Sequence, residues 1–404
     1  MTKIIEKSKA EGRISAPTSK SVAHRMLIAA ALCRGGASII RGINPCEDIF
    51  ATIDCLRSLG AKIEYENSCA KVFGADLSIA KPAGELFCRE SGSTLRFIIP
   101  LLWLSGEEFT LTGSERLFAR SMAVYEDVAE EGGFLFKKEG GKITTCGRLR
   151  SGVYRVRGDI SSQFITGLLF ALSCLDSDSE IVITPEPESR DYINITLSVM
   201  DEFGIKAGWK NHSTLYVKGG MNYEARELSV EGDWSNGAFL DAFNYLGGAV
   251  CIDGLCPESA QGDKIYREHF ERLNKGFCEI DISDCPDLGP ILFAFASLKE
   301  GGRFNGIRRL RDKESDRVAS MMEELQKFGA EMTVEENSLT IKKCPLHRPT
   351  EQLFGHNDHR IVMSLAIISS QFGGEIEGWE AVNKSYPDFF KDINKLGIKI
   401  YDTK

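Results

Sequence analysis

No stretch of this 404-residue chain approaches the roughly 18 consecutive apolar residues that a membrane-spanning helix requires, although 43% of its residues are hydrophobic. The opening Met1-Thr2-Lys3-Ile4-Ile5-Glu6-Lys7 lacks the apolar block of a secretory leader. A cytoplasmic protein that does not engage membranes is expected. The twelve cysteines, scattered from Cys33 to Cys344, include no Cys-x-x-Cys pair and no Cys/His cluster. That pattern argues against the common zinc frameworks and reads as reduced, mostly buried thiols. His356 and His359 stand three apart, but no third ligand follows at zinc spacing, so no metal is expected. Long basic runs are missing and the net charge is -9, which excludes a general nucleic-acid binder. The glycine-rich nucleotide motifs G-x-G-x-x-G and G-x-x-x-x-G-K-[ST] are absent, so neither NAD nor ATP is implied.

What is present is a repeat, on a chain long enough for two domains with large cores. Helix-like patterns end at Gly60, Gly204, Gly276, Gly329 and Gly397, with a weaker copy at Gly133, and alternating strand-like residues follow each. The spacings are 73, 71, 72, 53 and 68 residues from Gly60 through Gly133, Gly204, Gly276 and Gly329 to Gly397. Each unit reads as helix, helix, hairpin. Lys20, Ser91, Ser162, Asp233, Asp287 and Asp358 keep the same beat, at 71, 71, 71, 54 and 71 residues, and each precedes an apolar helical run. The six units divide into two groups of three near Val230 to Asp233. Helix starts carry unpaired N–H groups and a partial positive charge, so several of them together favour an anionic ligand. Any one of these residues alone reads as an ordinary N-cap.

The polar runs at these starts carry the candidate chemistry. Ser21 and Arg25 share a helix face with Lys20 at its mouth, which predicts an ammonium, a hydroxyl and a guanidinium aimed at one volume. Glu90-Ser91-Gly92-Ser93-Thr94-Leu95-Arg96 is a small-residue loop in which Gly92 permits close approach of a ligand. Ser161-Ser162-Gln163 suits a phosphate monoester, and Ser189-Arg190-Asp191-Tyr192 adds a hydroxyl, a guanidinium and a phenol. Lys313 and Arg317, with Glu314 beside them, are predicted one helical turn apart. His356-Asn357-Asp358-His359-Arg360 is a denser polar run before a buried helix.

Taken in order, Ser-Lys-Ser-x-x-x-Arg, Gly-Ser-Thr-Leu-Arg, Ser-Ser-Gln-Phe, Lys-Glu-Ser-Asp-Arg, Asn-Asp-His-Arg and Lys384-Ser385-Tyr386-Pro387-Asp388 resemble the enolpyruvyl transferases, in their shikimate-pathway branch, across nearly the whole chain. The resemblance implies an α/β fold of two similar domains, each of three βαβαββ units, an inverse α/β barrel. It implies one domain of residues 19–230 and another of residues 1–18 plus 231–404, with hinges near 15–20 and 228–233. It also implies that a first strand around Ile4 to Ile14 joins the C-terminal domain. The implied reaction moves the enolpyruvyl group of phosphoenolpyruvate to the 5-hydroxyl of shikimate 3-phosphate, releasing phosphate, without metal or organic cofactor, in a monomer.

The resemblance also implies roles. Asp287 leads as the base toward the hydroxyl, Lys20 and Glu314 move protons at carbon, and Lys384 closes over phosphoenolpyruvate. Lys20, Gly92, Arg120, Gln163, Arg317, Arg360 and Lys384 match the phosphoenolpyruvate contacts. Lys20, Ser21, Arg25, Ser161, Ser162, Gln163, Ser189, Tyr192, Asp287, Arg309 and Lys313 match those of shikimate 3-phosphate. Arg309 stands where an Asn is frequent, and Phe97 where Pro is frequent. The sister branch acting on UDP-N-acetylglucosamine commonly carries a cysteine in its lid, and the segment Arg116 to Arg120 has none. A non-catalytic anion-binding scaffold on the same repeats would be expected to lack Lys20, Asp287, Glu314 and Lys384, and all four are present.

Overall fold

A computed structural model describes residues 2–403. The chain divides into two compact units, Met1–Pro17 with Gly232–Lys404, and Thr18–Glu231. Both are built from one sheet plan. A parallel strand pair is followed by an antiparallel hairpin whose second strand docks beside the pair, as in Leu86–Phe87, Phe109–Thr112, Lys142–Cys146 and Leu135–Glu139. Parallel neighbours require a crossover, and in four of the six repeats the crossing element is the first helix, as with Gly92–Leu102 between Leu86–Phe87 and Phe109–Thr112, whereas Glu227–Ser229 with Ala37–Arg41 and Glu11–Ser15 with Ala249–Asp253 are joined through far longer stretches of chain. Glycines 60, 133, 204, 276, 329 and 397, which end the second helices, all have positive φ, where an added Cβ would be strained.

The six first helices are Lys20–Ala31, Gly92–Leu102, Ser162–Leu172, Trp234–Tyr245, Gly289–Ser297 and His359–Phe372. They are apolar nearly all round and correspondingly buried: all nine residues of Gly289–Ser297 and twelve of the fourteen in His359–Phe372 are buried. Second helices bury a single stripe, as with Tyr266, His269, Phe270 and Leu273 of Tyr266–Lys275, at i, i+3, i+4 and i+7. First helices therefore form the core of each unit, and their polar starts are held by the rigid elements that follow. No helix among the described residues is long and apolar enough to cross a membrane.

Three local expectations are corrected. The Lys275-Gly276-Phe277 copy has no hairpin after it: the next strand, Glu279–Asp281, already pairs in parallel with Gly301–Asn305 of the following unit. That missing hairpin accounts for the 53- and 54-residue intervals. The stretch Ile4 to Ile14 is two strands. Thr2–Ile5 inserts antiparallel between Gly374–Glu377 and Ile400–Asp402, supplying the sixth unit's missing hairpin strand. Glu11–Ser15 pairs in parallel with Ala249–Asp253. Lys313 and Arg317 do not share a helix, because the Asp316 carboxylate caps Val318 N and Ala319 N and starts the helix at Arg317. Ser189 makes no capping bond and sits in the left-handed region, at φ 57°.

Candidate active site

In Thr18–Glu231 the Ser19 hydroxyl caps the first helix by accepting from Val22 N, which puts Lys20 at its first position. The Lys20 ammonium lies 2.7 Å from the Asp48 carboxylate, and both side chains are largely buried. One turn on, Arg25 turns inward. It is almost completely buried and donates to Thr196 Oγ1 (2.8 Å), the Ser21 carbonyl (2.7 Å), the Tyr192 carbonyl (3.0 Å) and Thr166 Oγ1 (3.4 Å). Burial pushes its pKa down to about 9, partly offset by Tyr192, so it stays charged at neutral pH. Ser21, Arg25 and Tyr192 are thus brought together, and the guanidinium ties three helices.

A second group forms around Gly92, where Ser91 caps the helix by accepting from Thr94 N. A Cβ at Gly92 would stand 2.8 Å from Arg120 Nη1, 3.2 Å from Arg96 Nη1 and 3.5 Å from Gln163 Oε1. Arg96 donates to Gln163 Oε1 (2.7 Å), whose Nε2 donates to Ser93 Oγ (3.0 Å). Ser161 caps its helix by accepting from Gln163 N, and Ser162 is buried beside it. Buried His24 links these groups: its Nδ1 lies 2.7 Å from Thr52 Oγ1, which lies 2.7 Å from Thr94 Oγ1, itself 2.8 Å from Ser91 Oγ. Burial, with the Lys20 and Arg25 charges, holds His24 well below its ordinary pKa and therefore neutral.

In Met1–Pro17 with Gly232–Lys404 the candidates meet at Asp287, on a short turn of 3-10 helix, Pro286–Leu288, leading into Gly289–Ser297. Asp287 Oδ1 accepts from Arg317 Nη1 at 2.8 Å and lies 3.4 Å from Lys313 Nζ; Oδ2 accepts from Arg360 Nη2 at 2.8 Å. Arg317 also donates to Asp358 Oδ2 and to Glu314 Oε2, both at 2.8 Å. Asp358 accepts further from Ser315 Oγ and Arg360 N. Arg309 is buried close enough for its charge to press on Lys313. Lys384 Nζ donates to the Asn357 carbonyl at 2.6 Å.

Burial alone would raise the Asp287 pKa, but Arg360, Lys313 and Arg317 hold it well below the usual carboxylate range. Lys313 is lowered by burial despite the attraction of Asp287. Arg317 is raised: its burial is outweighed by Asp358, Glu314 and Asp287. Nearby Asp263 moves the other way, pushed up to about 6 by burial and then by the charge of Asp287.

Asp48 is not singled out in the sequence, and Arg96 and Asp358 stand there as members of polar runs without a place among the substrate contacts. Glu47-Asp48 in a helical first turn is indistinguishable from ordinary complementation of the helix dipole. The bonding of Arg96 depends on Gln163, 67 residues away.

Six polar helix starts, two Arg-rich groups and a lysine paired with a buried carboxylate set the frame for comparison with known proteins. The sequence profile described as EPSP synthase (3-phosphoshikimate 1-carboxyvinyltransferase) matches residues 4–393. The chain belongs to the EPSP synthase family. A 3-phosphoshikimate 1-carboxyvinyltransferase of Clostridium kluyveri is 41% identical, over 98% of this chain and 97% of the relative. One from Clostridium botulinum (strain Eklund 17B) is 38% identical over the same shares. In fold, the chain is similar to the EPSP synthase of Acinetobacter baumannii, with a TM-score of 0.81, 23% identity and full coverage of both chains. The two-domain enolpyruvyl transferase architecture expected from the resemblance is thus the fold of this EPSP synthase family member.

Proposed function

We infer that this chain transfers the enolpyruvyl group of phosphoenolpyruvate to the 5-hydroxyl of shikimate 3-phosphate, the reaction of its family, in the route to chorismate and the aromatic amino acids. In the addition step the hydroxyl oxygen bonds to C2 of phosphoenolpyruvate while C3 gains a proton. In the elimination step C3 returns a proton and the C2–O bond to phosphate breaks. The chemistry calls for a base at the hydroxyl, an acid near C3 and fixed cations for two phosphates and a carboxylate.

The observation that carries this reading is the Asp287 carboxylate held between Arg317, Arg360 and Lys313. We assign the two guanidiniums to phosphoenolpyruvate, and Lys313, with Asp287 itself, to shikimate 3-phosphate. An anionic substrate that draws Arg317 and Arg360 to itself removes the charges that hold the Asp287 pKa down, which makes Asp287 a stronger base at that moment. Glu314, on the same Arg317, and Lys20, paired with Asp48, are assigned the proton transfers at carbon. Lys384, Lys20, Gly92, Arg120 and Gln163 are assigned to phosphoenolpyruvate as well. Ser21, Arg25, Ser161, Ser162, Gln163, Ser189, Tyr192 and Arg309 are assigned to shikimate 3-phosphate. We place the enzyme in the cytoplasm, as a monomer, acting as two domains of residues 19–230 and of 1–18 plus 231–404.

A phosphate-release assay with phosphoenolpyruvate and shikimate 3-phosphate tests the reading. Release with that pair is expected. Its absence, with release when UDP-N-acetylglucosamine replaces shikimate 3-phosphate, would overturn it.

A further inference from the structure

The helix Arg317–Gln326 carries two buried charged residues, Arg317 at its start and Glu324 two turns later. Glu324 has no exposed surface, and a buried carboxylate persists where charge and hydrogen bonds compensate it. Here Lys327 Nζ lies 2.9 and 3.0 Å from its two oxygens, Phe354 N donates to Oε2 at 2.9 Å, and His356 Nε2 lies 2.9 Å from Oε1. Glu324, Glu323 and His356 together resemble a cation-binding trio. The donor set does not fit a metal, because the Lys327 ammonium already sits against both Glu324 oxygens.

Those bonds reach the segment that enters the Asp358 helix. His356 and Asn357 have φ of 48° and 51°, left-handed conformations that L-residues adopt when their surroundings enforce them. Gly355 is hemmed in, since a Cβ there would stand 2.6 Å from Val362 Cγ2 and 2.7 Å from the Gly378 carbonyl. The paired left-handed turn directs the Asn357 carbonyl to Lys384 Nζ and delivers Asp358 to Arg317. One helix therefore grips this segment twice, through Arg317 on Asp358 and through Glu324 on residues 354 and 356.

We propose that Glu324 is a positioning residue for phosphoenolpyruvate: it clamps Phe354 N and His356 so that Asn357 and Asp358 hold Lys384 and Arg317 in place. The proposal rests on the functional reading above, which assigns Arg317, Arg360 and Lys384 to that substrate. The test is steady-state phosphate release by the full chain, varying each substrate at saturation of the other, for Glu324→Ala, Glu324→Gln and the control Glu323→Gln. Glu324→Ala should raise KM for phosphoenolpyruvate at least tenfold and leave KM for shikimate 3-phosphate within about twofold. Glu324→Gln, which keeps one acceptor oxygen, should fall between it and wild type, and Glu323→Gln should match wild type. If Glu324→Ala does not fold, by far-UV circular dichroism, Glu324→Gln carries the test. A folded Glu324 variant with an unchanged phosphoenolpyruvate KM, or an equal rise in both KM values, overturns the proposal alone. Wild type that releases no phosphate from the pair overturns the functional reading and this proposal with it.

Discussion

In residues 18–231 the buried Arg25 guanidinium is held by two threonine hydroxyls and two backbone carbonyls. In residues 232–404 buried Arg317 is held by three carboxylates, those of Asp287, Glu314 and Asp358. Both arrangements satisfy a planar fork of N–H donors. They differ in what an incoming anion meets. Hydroxyls and carbonyls leave the positive charge of Arg25 uncompensated, whereas the carboxylates around Arg317 balance it, and on the proposed assignment of Arg317 to phosphoenolpyruvate they give way to that substrate. The same repeat plan thus carries an arginine held by neutral partners in one half and an arginine held in an ion-pair network in the other.

Substitutions separate the two designs. Lys20→Met should reduce turnover by about 10²–10⁴-fold, far more than the accompanying loss of shikimate 3-phosphate affinity in calorimetry; near-normal turnover would remove Lys20 from the chemistry. Asp358→Ala leaves the Arg317 network short of a buried charge and should cost about 3–5 kcal/mol in urea unfolding. Asp263→Asn tests the pH dependence. The Asp263 pKa is raised to about 6, so the wild-type carboxylate opposes folding progressively as pH rises from its unfolded value of about 3.9 through 6. The stability of Asp263→Asn relative to wild type should therefore improve between pH 4 and 7, by up to ~3 kcal/mol. Asp287 and Asp358 carry the opposite sign. Their depressed values stabilise the fold above about pH 3.9 and lose that contribution as pH falls through the folded values. Thr196→Ala, which removes one neutral partner of Arg25, should cost about 1 kcal/mol. A loss as large as that of Asp358→Ala would erase the contrast between the halves.

Much of this is legible in the sequence. The beat of polar helix starts identified five residues that do begin or cap first helices, Lys20, Ser91, Ser162, Asp233 and Asp358, and the sixth, Asp287, lies one turn ahead of its helix. Local chemistry carries that signal, because N-caps and apolar runs are written in neighbouring residues. The destination of Arg25 was not legible: spacing put it on the face of Ser21, but partners at 166 and 196 lie in other repeats. Nor was the meeting of Lys313 with Arg317, which a loop, a cap and Asp287 achieve without a shared helix. The missing fourth hairpin is visible as a short interval, whereas the pairing of Thr2–Ile5 and Glu11–Ser15 with strands more than two hundred residues away is not.

That pairing sets an order in time. Thr2–Ile5 finds its partners at residues 374–377 and 400–402, and Glu11–Ser15 finds its own at 249–253. On the ribosome these strands emerge first and pair last. At synthesis rates of about 5–20 residues per second, tens of seconds pass before the partners appear, while residues 18–231 already hold every strand of their three sheets. Residues 2–17 act as a deferred clasp, so the unit they belong to is completed when its last strand has been made.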